Sequence, residues 1–259
     1  MKVIVFAKQV PDTSEVKIDK EKGTLIRDNV SSIMNPEDKN ALEVALRLKE
    51  QLGAKVIVIT MGPPSAEEIL RESYAMGADM CYLITDPLFA GADTLVTSKI
   101  LAKAARLIGF DLILTGRQAI DGDTAQVGVE LAEHLGIPSI AYVIDISINE
   151  KRVFVKRELD EKIEILSTEL PCLITCSKEI NIPRYMSLSG IFSCYSKKIV
   201  VLDNKVFGFK KEEVGLLGSP TKVKKTFTKI VNKKCEIVET DLNEGIEKIE
   251  EILSSIGGM

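Results

Sequence analysis

The sequence has few of the side chains that stack on nucleic-acid bases. It contains no tryptophan, and aromatic residues make up 5% of its 259 residues. Its formal net charge is −4, so a basic surface that attracts a phosphate backbone is not indicated either. Without a stacking platform or a positive surface, we do not expect this chain to bind nucleic acid.

Cysteine and histidine are too few and too scattered to suggest a metal site or a nucleophilic catalyst. The five cysteines include no Cys-x-x-Cys pair, and a zinc site needs ligands at such turn spacing. The single histidine, His134, lies near the end of a predicted helix, where we expect a solvated position. Cys172 and Cys176 lie in an apolar run and are predicted to be small buried hydrophobic residues. The sequence therefore predicts neither a catalytic side chain nor a metal site.

Long apolar runs are also missing. No stretch is long enough to span a membrane. The opening segment MKVIVFAKQVPDT is apolar only briefly and lacks a small-residue cleavage site, so it is typical of a first strand and not of a signal peptide. These features predict a cytoplasmic protein, and 45% hydrophobic residues are enough for a sizeable core.

Apolar segments of strand length alternate with helical patterns through the first half of the chain. Asn35-Pro36-Glu37-Asp38 is typical of a helix start, with Asn35 as the N-cap and acidic residues in the first turn. Further helices are predicted from Asp93-Thr94 to about Arg106 and over Thr124–Leu135. This alternation predicts an α/β fold with a doubly wound, Rossmann-like parallel sheet. Its first strands are predicted at Val3–Ala7, Lys55–Thr60, Met80–Thr85 and Asp111–Thr115.

The pattern changes after Ser139. Segments joined by tight polar turns predict antiparallel hairpins at the sheet edge, and one more apolar strand, Leu173–Cys176, follows them. We therefore expect an α/β domain over residues 1–198 and a C-terminal extension over residues 199–259 that ends in an amphipathic helix at about Leu242–Ser255. The hairpin strands are predicted at Ile140–Ile148, Arg152–Glu158 and Ile163–Leu166.

The loop after the fourth strand, Gly116–Gly128, is the most unusual connection. In an open parallel sheet the ligand site lies beyond the carboxyl ends of the strands, where this loop begins. Its glycines at 116, 122 and 128 let the backbone turn sharply and approach a ligand, and the N–H groups at the next helix start can receive a phosphate. The same pattern fits a capped turn in which Asp123 caps the helix, and spacing alone does not separate the two.

Two other features at this edge have structural interpretations. Asp121 and Asp123 could do acid–base work, but we favour a structural role in which their backbone N–H groups face the ligand. Gly91-Ala92-Asp93-Thr94, with Thr97 one turn on, is by itself more typical of plain N-capping. Neither the G-x-G-x-x-G nor the G-x-x-x-x-G-K-[ST] pattern is present at the places that a dinucleotide dehydrogenase or a P-loop NTPase requires.

At these residues the sequence resembles the beta subunit of electron-transferring flavoproteins. The resemblance runs from Lys2 to about Lys198 and includes VIVFAKQVPDT, MNPEDKNALEVALRLKE, MGPP and YAMGADMCYLI. Its most specific segments are LTGRQAIDGDTAQVG, VKRELDEKIEILSTELPCLITC and INIPRYMSLSGI. Lys162 stands where the family usually has an acid or a glycine, and the tail after Ile199 matches poorly.

The resemblance implies that the chain holds a nucleotide and works beside a larger, flavin-carrying alpha subunit. Simple electron carriers of the family bind AMP in this subunit, whereas the flavin-bifurcating branch binds a second FAD. The segments Ala92–Thr94 and Asp121–Gly128 resemble the bifurcating branch. In that branch electrons from NADH divide between a low-potential acceptor such as ferredoxin and, through the alpha subunit, a flavin-dependent dehydrogenase. The extension over residues 199–259 is then expected to pack on the alpha subunit.

By the same resemblance, the residues that surround the nucleotide come from the first strand, the starts of three helices and the loop after the fourth strand. They are Ala7, Asn35, Asp38, Met61, Ala92, Asp93, Thr94, Thr97, Gly116, Gln118, Ala119, Ile120, Asp121, Gly122, Asp123, Thr124, Ala125, Gln126, Val127 and Gly128.

The resemblance also assigns contacts with partner proteins. Glu158 matches a position that reaches toward the flavin domain of the alpha subunit. The segment around Arg184, Tyr185 and Leu188, within residues 181–192, matches the loop that docks onto the dehydrogenase, with Leu188 as the apolar anchor. Without the resemblance, a leucine folded onto the core is an equally good interpretation.

Two alternatives remain at this point. One is a plain electron carrier subunit that binds AMP structurally. The other is a stand-alone ATP-binding protein of similar α/β fold, which would need a phosphate-chain motif that this sequence lacks and would leave the RYMSL segment unexplained.

Overall fold

The structure is a computed structural model that describes residues 1–12, 31–160, 162–222 and 241–255, together with the backbone of two short strands at 17–18 and 25–26. Residues 1–222 form one compact unit, and residues 223–259 form a second whose described part is a helix. The strands are β1 (Lys2–Phe6), β2 (Gln9–Pro11), β3 (Lys17–Ile18), β4 (Leu25–Ile26), β5 (Ser32–Met34), β6 (Lys55–Met61), β7 (Met80–Ile84), β8 (Leu112–Gly116), β9 (Ser139–Asn149), β10 (Arg152–Leu159), β11 (Lys162–Glu169), β12 (Cys172–Cys176) and β13 (Ile199–Leu202). The helices are α1 (Pro36–Leu52), α2 (Glu67–Met76), α3 (Thr94–Ile108), α4 (Val127–Leu135), α5 (Leu188–Cys194), α6 (Asn204–Phe207), α7 (Gly215–Gly218) and α8 (Leu242–Ser255).

A nine-stranded sheet in the order β11-β10-β9-β12-β8-β1-β6-β7-β13 forms the centre of the first unit. The strands from β9 to β13 in this order all run parallel, and β9, β10 and β11 form an antiparallel meander at one edge. The predicted doubly wound parallel sheet with an antiparallel edge is therefore confirmed.

Apolar side chains on the two faces of β1 show why this strand lies inside the molecule. Val3 and Val5 pack into the layer formed with α1 and α2, whereas Ile4 and Phe6 pack into the layer formed with α3 and α4. A fully buried aliphatic side chain contributes about 1.5–3 kcal/mol relative to an exposed one. A strand that buries both faces gains this contribution on each side. Its sequence is therefore a continuous apolar run.

The sheet continues past the boundary predicted at residue 198. β13 pairs in parallel with β7 from Ile199 to Leu202. Phe207 and Phe209 then pack on Phe89, with ring centroids 6.0 and 6.5 Å away. Residues 199–222 thus belong to the same compact unit as residues 1–198. A four-residue strand in which only Leu202 is buried gives too weak a periodic pattern to be recognised in a lysine-rich segment.

The second unit is described only through α8, whose bounds agree with the predicted helix. Its apolar residues, including Leu242, Ile246 and Ile249, are exposed. No helix in the described ranges has the length and apolar character needed to cross a membrane.

Candidate functional site

The order of the strands reverses between β1 and β8. The chain builds β6 and β7 on one side of β1 and then returns to place β8 on the other. Such a reversal separates the two adjoining loops and opens a crevice at the carboxyl ends of the strands. A cavity of about 730 Å³ lies there, lined by the loops that follow β1, β6, β7 and β8. Its volume is typical of small-molecule sites.

Most of the residues predicted for the site line this cavity. They are Ala7, Asp38, Met61, Ala92, Asp93, Thr94, Thr97, Gly116, Gln118, Ala119, Gly122, Asp123, Thr124, Ala125, Gln126, Val127 and Gly128. Asn35, Ile120 and Asp121 lie outside the lining. Segments far apart in sequence thus meet at one cavity, as the sheet topology requires.

Asn35 shapes the cavity from behind. The residue is fully buried and is the N-cap of α1, as predicted, although its side chain makes no capping hydrogen bond to the helix. Its Nδ2 instead donates to the Gln118 carbonyl oxygen at 2.8 Å, and its Oδ1 accepts from the Ile120 N–H at 3.1 Å. A buried amide that is satisfied on both sides fixes the backbone it binds. Asn35 therefore supports the cavity lining from behind by fixing the backbone of Gln118 and Ile120.

Asp38 joins the ends of the two central strands. Its Oδ2 accepts from the Lys8 N–H and its Oδ1 from the Gly116 N–H, both at 2.8 Å. Burial raises the pKa of Asp38 to about 7, although the hydrogen bonds from Lys8 and Gly116 act in the opposite direction. The carboxyl group thus holds the mouth of the crevice at a fixed width.

Glu37 is a site residue that was not selected from the sequence. Its Oε2 accepts from the Gln118 N–H at 2.9 Å, and its Oε1 lies 3.0 Å from the Arg117 guanidinium. An acid in the first turn of a helix ordinarily indicates only a favourable helix start. Glu37 could have been found from two features together. A pair of acids stands at the start of α1, and a glycine-rich loop with free N–H groups is predicted at the same sheet edge.

The glycines of the loop after β8 serve packing against the protein itself. A Cβ atom on Gly116 would lie 2.5 Å from Asp38 Oδ1 and 2.8 Å from Asp38 N. One on Gly128 would lie 2.8 Å from Thr115 Oγ1. Around Gly122 there is open space. Glycine is therefore required at 116 and 128 by the close approach of α1, β8 and β12, whereas at 122 no protein atom requires it.

The loop stays irregular up to Gln126. Asp123 and Ala125 have φ values of 51° and 54°, in the left-handed region that L residues rarely adopt. Helical geometry therefore cannot begin at Thr124, and α4 starts at Val127. The predicted start at Thr124 is wrong for this reason, and Asp123 does not cap the helix. Its carboxylate instead accepts from the side chain of Gln118, which closes the loop on itself.

Asp121 has a structural partner at the edge of the cavity. Its carboxylate lies 2.7 Å from the Nζ atom of Lys8, and both side chains are partly exposed. Lys8 itself lines the cavity. The contact ties the loop after β1 to the loop after β8, so the carboxylate of Asp121 has a structural role.

The start of α3 forms the wall opposite the loop after β8. Asp93 is its N-cap, with Oδ1 accepting from the Val96 N–H at 3.0 Å, so the predicted N-capping is confirmed. The Thr94 hydroxyl donates to Glu130 of α4 at 3.1 Å. Because Thr94 and Val127 both line the cavity, it reaches the starts of two helices, α3 and α4.

The structure adds lining residues that were not selected from the sequence. Phe6, Ile59, Ile84 and Phe89 give the cavity an apolar floor. Thr115 also lines it, and its buried Oγ1 has no hydrogen-bond partner within the described part of the chain. A buried hydroxyl without a partner is costly unless a ligand or water satisfies it. The remaining additions are Lys8, Gly62, Pro63, Pro64, Thr85, Asp86, Pro87, Ala90, Gly91, Leu101 and Arg117.

Four of the five cysteines lie in the described ranges, and all four are buried free thiols. Burial raises the pKa of Cys81 to about 12 and that of Cys172 to about 11, so these thiols stay protonated and unreactive. The prediction that Cys172 and Cys176 are buried hydrophobic residues is confirmed. His134, predicted to be solvated, is half-buried.

The segment around Arg184 is fastened to two helices. The Arg184 guanidinium binds Glu43 and Glu50 of α1. The Asn40 side chain donates to the Asn181 carbonyl oxygen at 2.7 Å. At the other end the Ser187 N–H donates to the carbonyl oxygen of Ala75, in α2, at 3.2 Å. The segment between these contacts is therefore held in one position against the unit.

Apolar side chains project outward from this fastened segment. Tyr185 is 95% exposed and Leu188, the first residue of α5, is 78% exposed. Leu188 is therefore not folded onto the core, and the interpretation that placed it there is wrong. Ile182, Met186, Phe192 and Tyr195 are also exposed nearby in the sequence. Apolar exposure on this scale is typical of an interaction site.

Glu158 lies far from the cavity in the order of the sheet. It is exposed on β10, opposite Ile163 of β11 in the antiparallel meander. Ile163 and its neighbour on the same face, Ile165, are exposed as well. The meander thus presents an acid beside apolar side chains.

The sequence pattern of one protein family matches most of the chain. The family is described as the electron transfer flavoprotein domain, and the match covers residues 22–206.

Similar proteins support the same family. The electron transfer flavoprotein subunit beta of Thermoanaerobacterium thermosaccharolyticum is 49% identical over 256 residues, which is 98% of each chain. The caffeyl-CoA reductase-Etf complex subunit CarD of Acetobacterium woodii is 51% identical over 230 residues, or 88% of each chain. The acryloyl-CoA reductase electron transfer subunit gamma of Anaerotignum propionicum is 46% identical over 236 residues, again 88% of each chain. The chain therefore belongs to the electron transfer flavoprotein family, among its beta subunits.

Proposed function

We propose that this subunit binds FAD in the cavity between β1 and β8. Together with the alpha subunit it would pass electrons between NADH, a low-potential acceptor such as ferredoxin and a partner dehydrogenase. One observation carries the FAD assignment: a single cavity of about 730 Å³ is lined by the starts of both α3 and α4.

Two helix starts suit a diphosphate better than a single phosphate. The free N–H groups and the dipole of each helix favour negative charge at its N-terminus. Thr97 at α3, with Thr124 and Gln126 before α4, adds neutral donors around the same space, whereas the Thr94 hydroxyl donates to Glu130 and joins the two helix starts. Lys8 and Arg117 also line the cavity, where each cation is paired with an acid, Asp121 and Glu37 respectively. These residues would hold the phosphates.

The rest of the lining fits the adenosine end of FAD. Phe6, Ile59, Ile84 and Phe89 offer an apolar floor, and the unpaired hydroxyl of Thr115 offers a polar contact. Asp38 adds little repulsion, because its carboxyl oxygens already accept from Lys8 and Gly116. When bound, FAD supplies the redox chemistry, and these residues bind it, orient it and exclude water.

The printed names of two relatives support an assembly with an enzyme that reduces a CoA ester. One is a subunit of a caffeyl-CoA reductase-Etf complex, and the other is an electron transfer subunit of acryloyl-CoA reductase. For this chain the surface that would meet such an enzyme is the segment with Tyr185 and Leu188. An exposed leucine and tyrosine on a fastened segment need little ordering when they bind, which suits a transient interface. Glu158 on the meander would face the alpha subunit.

AMP is the second candidate ligand, and one observation favours it. The backbone N–H of Asp93, at the start of α3, already donates to Ser219 Oγ at 2.9 Å. With that donor occupied, the loop before α4 is the better phosphate site, and one phosphate would fill it. The subunit would then be a docking and structural partner in a plain electron carrier. A stand-alone ATP-binding protein has no use for the exposed segment around Leu188.

Counting the cofactors of the heterodimer purified from cells distinguishes the two ligands. We expect two FAD molecules per heterodimer. One FAD with one AMP would overturn the FAD proposal in favour of AMP. Replacing Thr94→Val should lower the content to one FAD, because the hydrogen bond that joins the α3 start to Glu130 of α4 is lost. Thr168→Val, in the edge strand β11, is the matched control, and retention of both flavins by the Thr94 variant would contradict the site.

A further inference from the structure

The cavity wall at residues 86–94 is held from behind by the C-terminal part of the same compact unit. Asp86 and Asp93 stand at the two ends of this wall, and both line the cavity. Each carboxylate accepts one hydrogen bond from its own segment: Asp86 from the Leu88 N–H at 2.9 Å and Asp93 from the Val96 N–H at 3.0 Å. Each also accepts hydrogen bonds from residues 204–221.

The bonds from the C-terminal side are asymmetric. At the first end, Asp86 Oδ2 accepts from the Asn204 N–H at 3.0 Å. At the second end, Asp93 Oδ2 accepts from Thr221 Oγ1 at 2.8 Å and from the Thr221 N–H at 3.0 Å. The Asp93 N–H in turn donates to Ser219 Oγ. Among the described residues, side-chain hydrogen bonds from residues 204–221 to this wall are therefore made only at the end where α3 begins.

Backbone packing between these two ends is close. The Leu216 N–H donates to the Ala90 carbonyl oxygen at 3.1 Å. A Cβ atom on Gly215 would lie 2.2 Å from the Leu88 carbonyl oxygen, so only glycine fits there. Residues 215–216 thus pack directly against the backbone of residues 88–90, and a displacement of either segment would displace the other.

We infer that Thr221 and Ser219 are positioning residues for the bound nucleotide, acting through Asp93. This rests on the nucleotide site proposed above. Asp93 stands at the α3 start, where phosphate would lie, and a carboxylate turned toward phosphate would repel it. Hydrogen bonds from Thr221 keep Oδ2 occupied on the far side, while Oδ1 caps α3. Ser219 fixes the backbone of the same residue. The two side chains therefore set the orientation of the helix start toward the ligand.

The test uses the complete heterodimer, depleted of FAD and titrated with FAD and, separately, with AMP. Thr221→Val removes the hydroxyl donor at an exposed position, so the variant should fold. We expect FAD to bind about three- to tenfold more weakly, the net effect of one ordinary hydrogen bond at an exposed position. Ser219→Ala should act in the same direction. Thr221→Ser keeps the hydroxyl and should restore wild-type affinity, and Thr168→Val is the control.

Weaker FAD binding in the Thr221→Val variant, with rescue by serine and an unchanged melting temperature of the FAD-free heterodimer, supports the inference. Equal affinity in Thr221→Val, Ser219→Ala and wild type overturns it. A lower melting temperature with unchanged affinity also overturns it, since it shows a purely structural role. A wild-type heterodimer that binds neither FAD nor AMP overturns the proposed function together with this inference, so the two failures are distinguishable.

Discussion

The guanidinium of Arg184 lies against two carboxylates of α1. Its Nε donates to Glu43 Oε2 at 2.8 Å and its Nη1 to Glu50 Oε1 at 2.5 Å. The Glu43 side chain is almost fully buried, whereas that of Glu50 is exposed. The resemblance predicts Arg184 as a docking contact, but the guanidinium is turned toward its own chain. Arg184 therefore holds the segment that presents Tyr185 and Leu188.

Replacing Arg184→Lys should loosen this segment without unfolding the unit. A lysine ammonium cannot reproduce the planar fork that reaches both glutamates. We expect the rate of electron transfer to the dehydrogenase to fall about threefold to tenfold, while the FAD content stays unchanged. Stopped-flow transfer kinetics at varied dehydrogenase concentration would measure this. Arg47→Lys is the matched control, because Arg47 also pairs with Glu43, at 2.9 Å, but does not hold the segment. Equal rates in both variants would argue against a role for Arg184.

Replacing Leu188→Ala should weaken docking onto the dehydrogenase more strongly than Arg184→Lys does. The leucine is exposed on the surface of this chain, so its loss creates no cavity, and any effect must arise in the complex. An apolar anchor in an interface contributes about 2 kcal/mol or more, which corresponds to about a thirtyfold loss of affinity. Surface plasmon resonance against the dehydrogenase would measure it. Leu52→Ala, an exposed leucine at the end of α1, should change nothing. Wild-type affinity in the Leu188 variant would remove the docking assignment.

The same substitution at two glycines of the loop after β8 should give opposite results. In Gly116→Ala the new methyl group would lie 2.5 Å from Asp38 Oδ1, so α1 and β8 must separate. We expect a loss of about 1–3 kcal/mol in the free energy of unfolding, together with weaker nucleotide binding. In Gly122→Ala the methyl group meets open space, and stability should stay within about 0.5 kcal/mol. Urea unfolding measures both. Equal losses of stability in the two variants would show that any added side chain in the loop destabilises the protein, so the contact with Asp38 would not be the cause.

The sequence predicts the place of the site better than its supporting contacts. β1, β6, β7 and β8 are visible as apolar runs because they bury both faces, and their order alone brings the loop Gly116–Gly128 to the switch point. Hydrogen bonds between distant segments leave no periodic signal. The Asn35 amide binds Gln118, which is 83 residues away in the sequence. An asparagine before a helix is common, so the residue type alone does not indicate this contact. The predicted start of α4 is wrong because the tertiary fold imposes a left-handed backbone conformation on residues such as Asp123, and the sequence pattern does not show it.

The carboxyl group of Asp38 should make the stability of the protein depend on pH. Its pKa is raised by burial from 3.8 to about 7. Between these values the folded chain keeps a proton that the unfolded chain releases, so folding binds a proton and the free energy of unfolding falls as the pH rises across the window. Above the folded pKa the full contribution of the protonated group has been lost.

Asp38→Asn removes this titration while keeping the size of the side chain. The variant should be less stable at every pH, because the amide places an N–H2 group against the Lys8 or Gly116 N–H. The pH dependence is the informative quantity. From about pH 5 to about pH 7 the wild type should lose stability relative to the variant by up to about 1.4 kcal/mol per pH unit. Urea unfolding of both heterodimers across that range measures the difference. Parallel curves would mean that the two N–H donors keep Asp38 ionised in spite of its burial. The carboxylate that joins the ends of β1 and β8 would then carry a full negative charge beside the proposed nucleotide site.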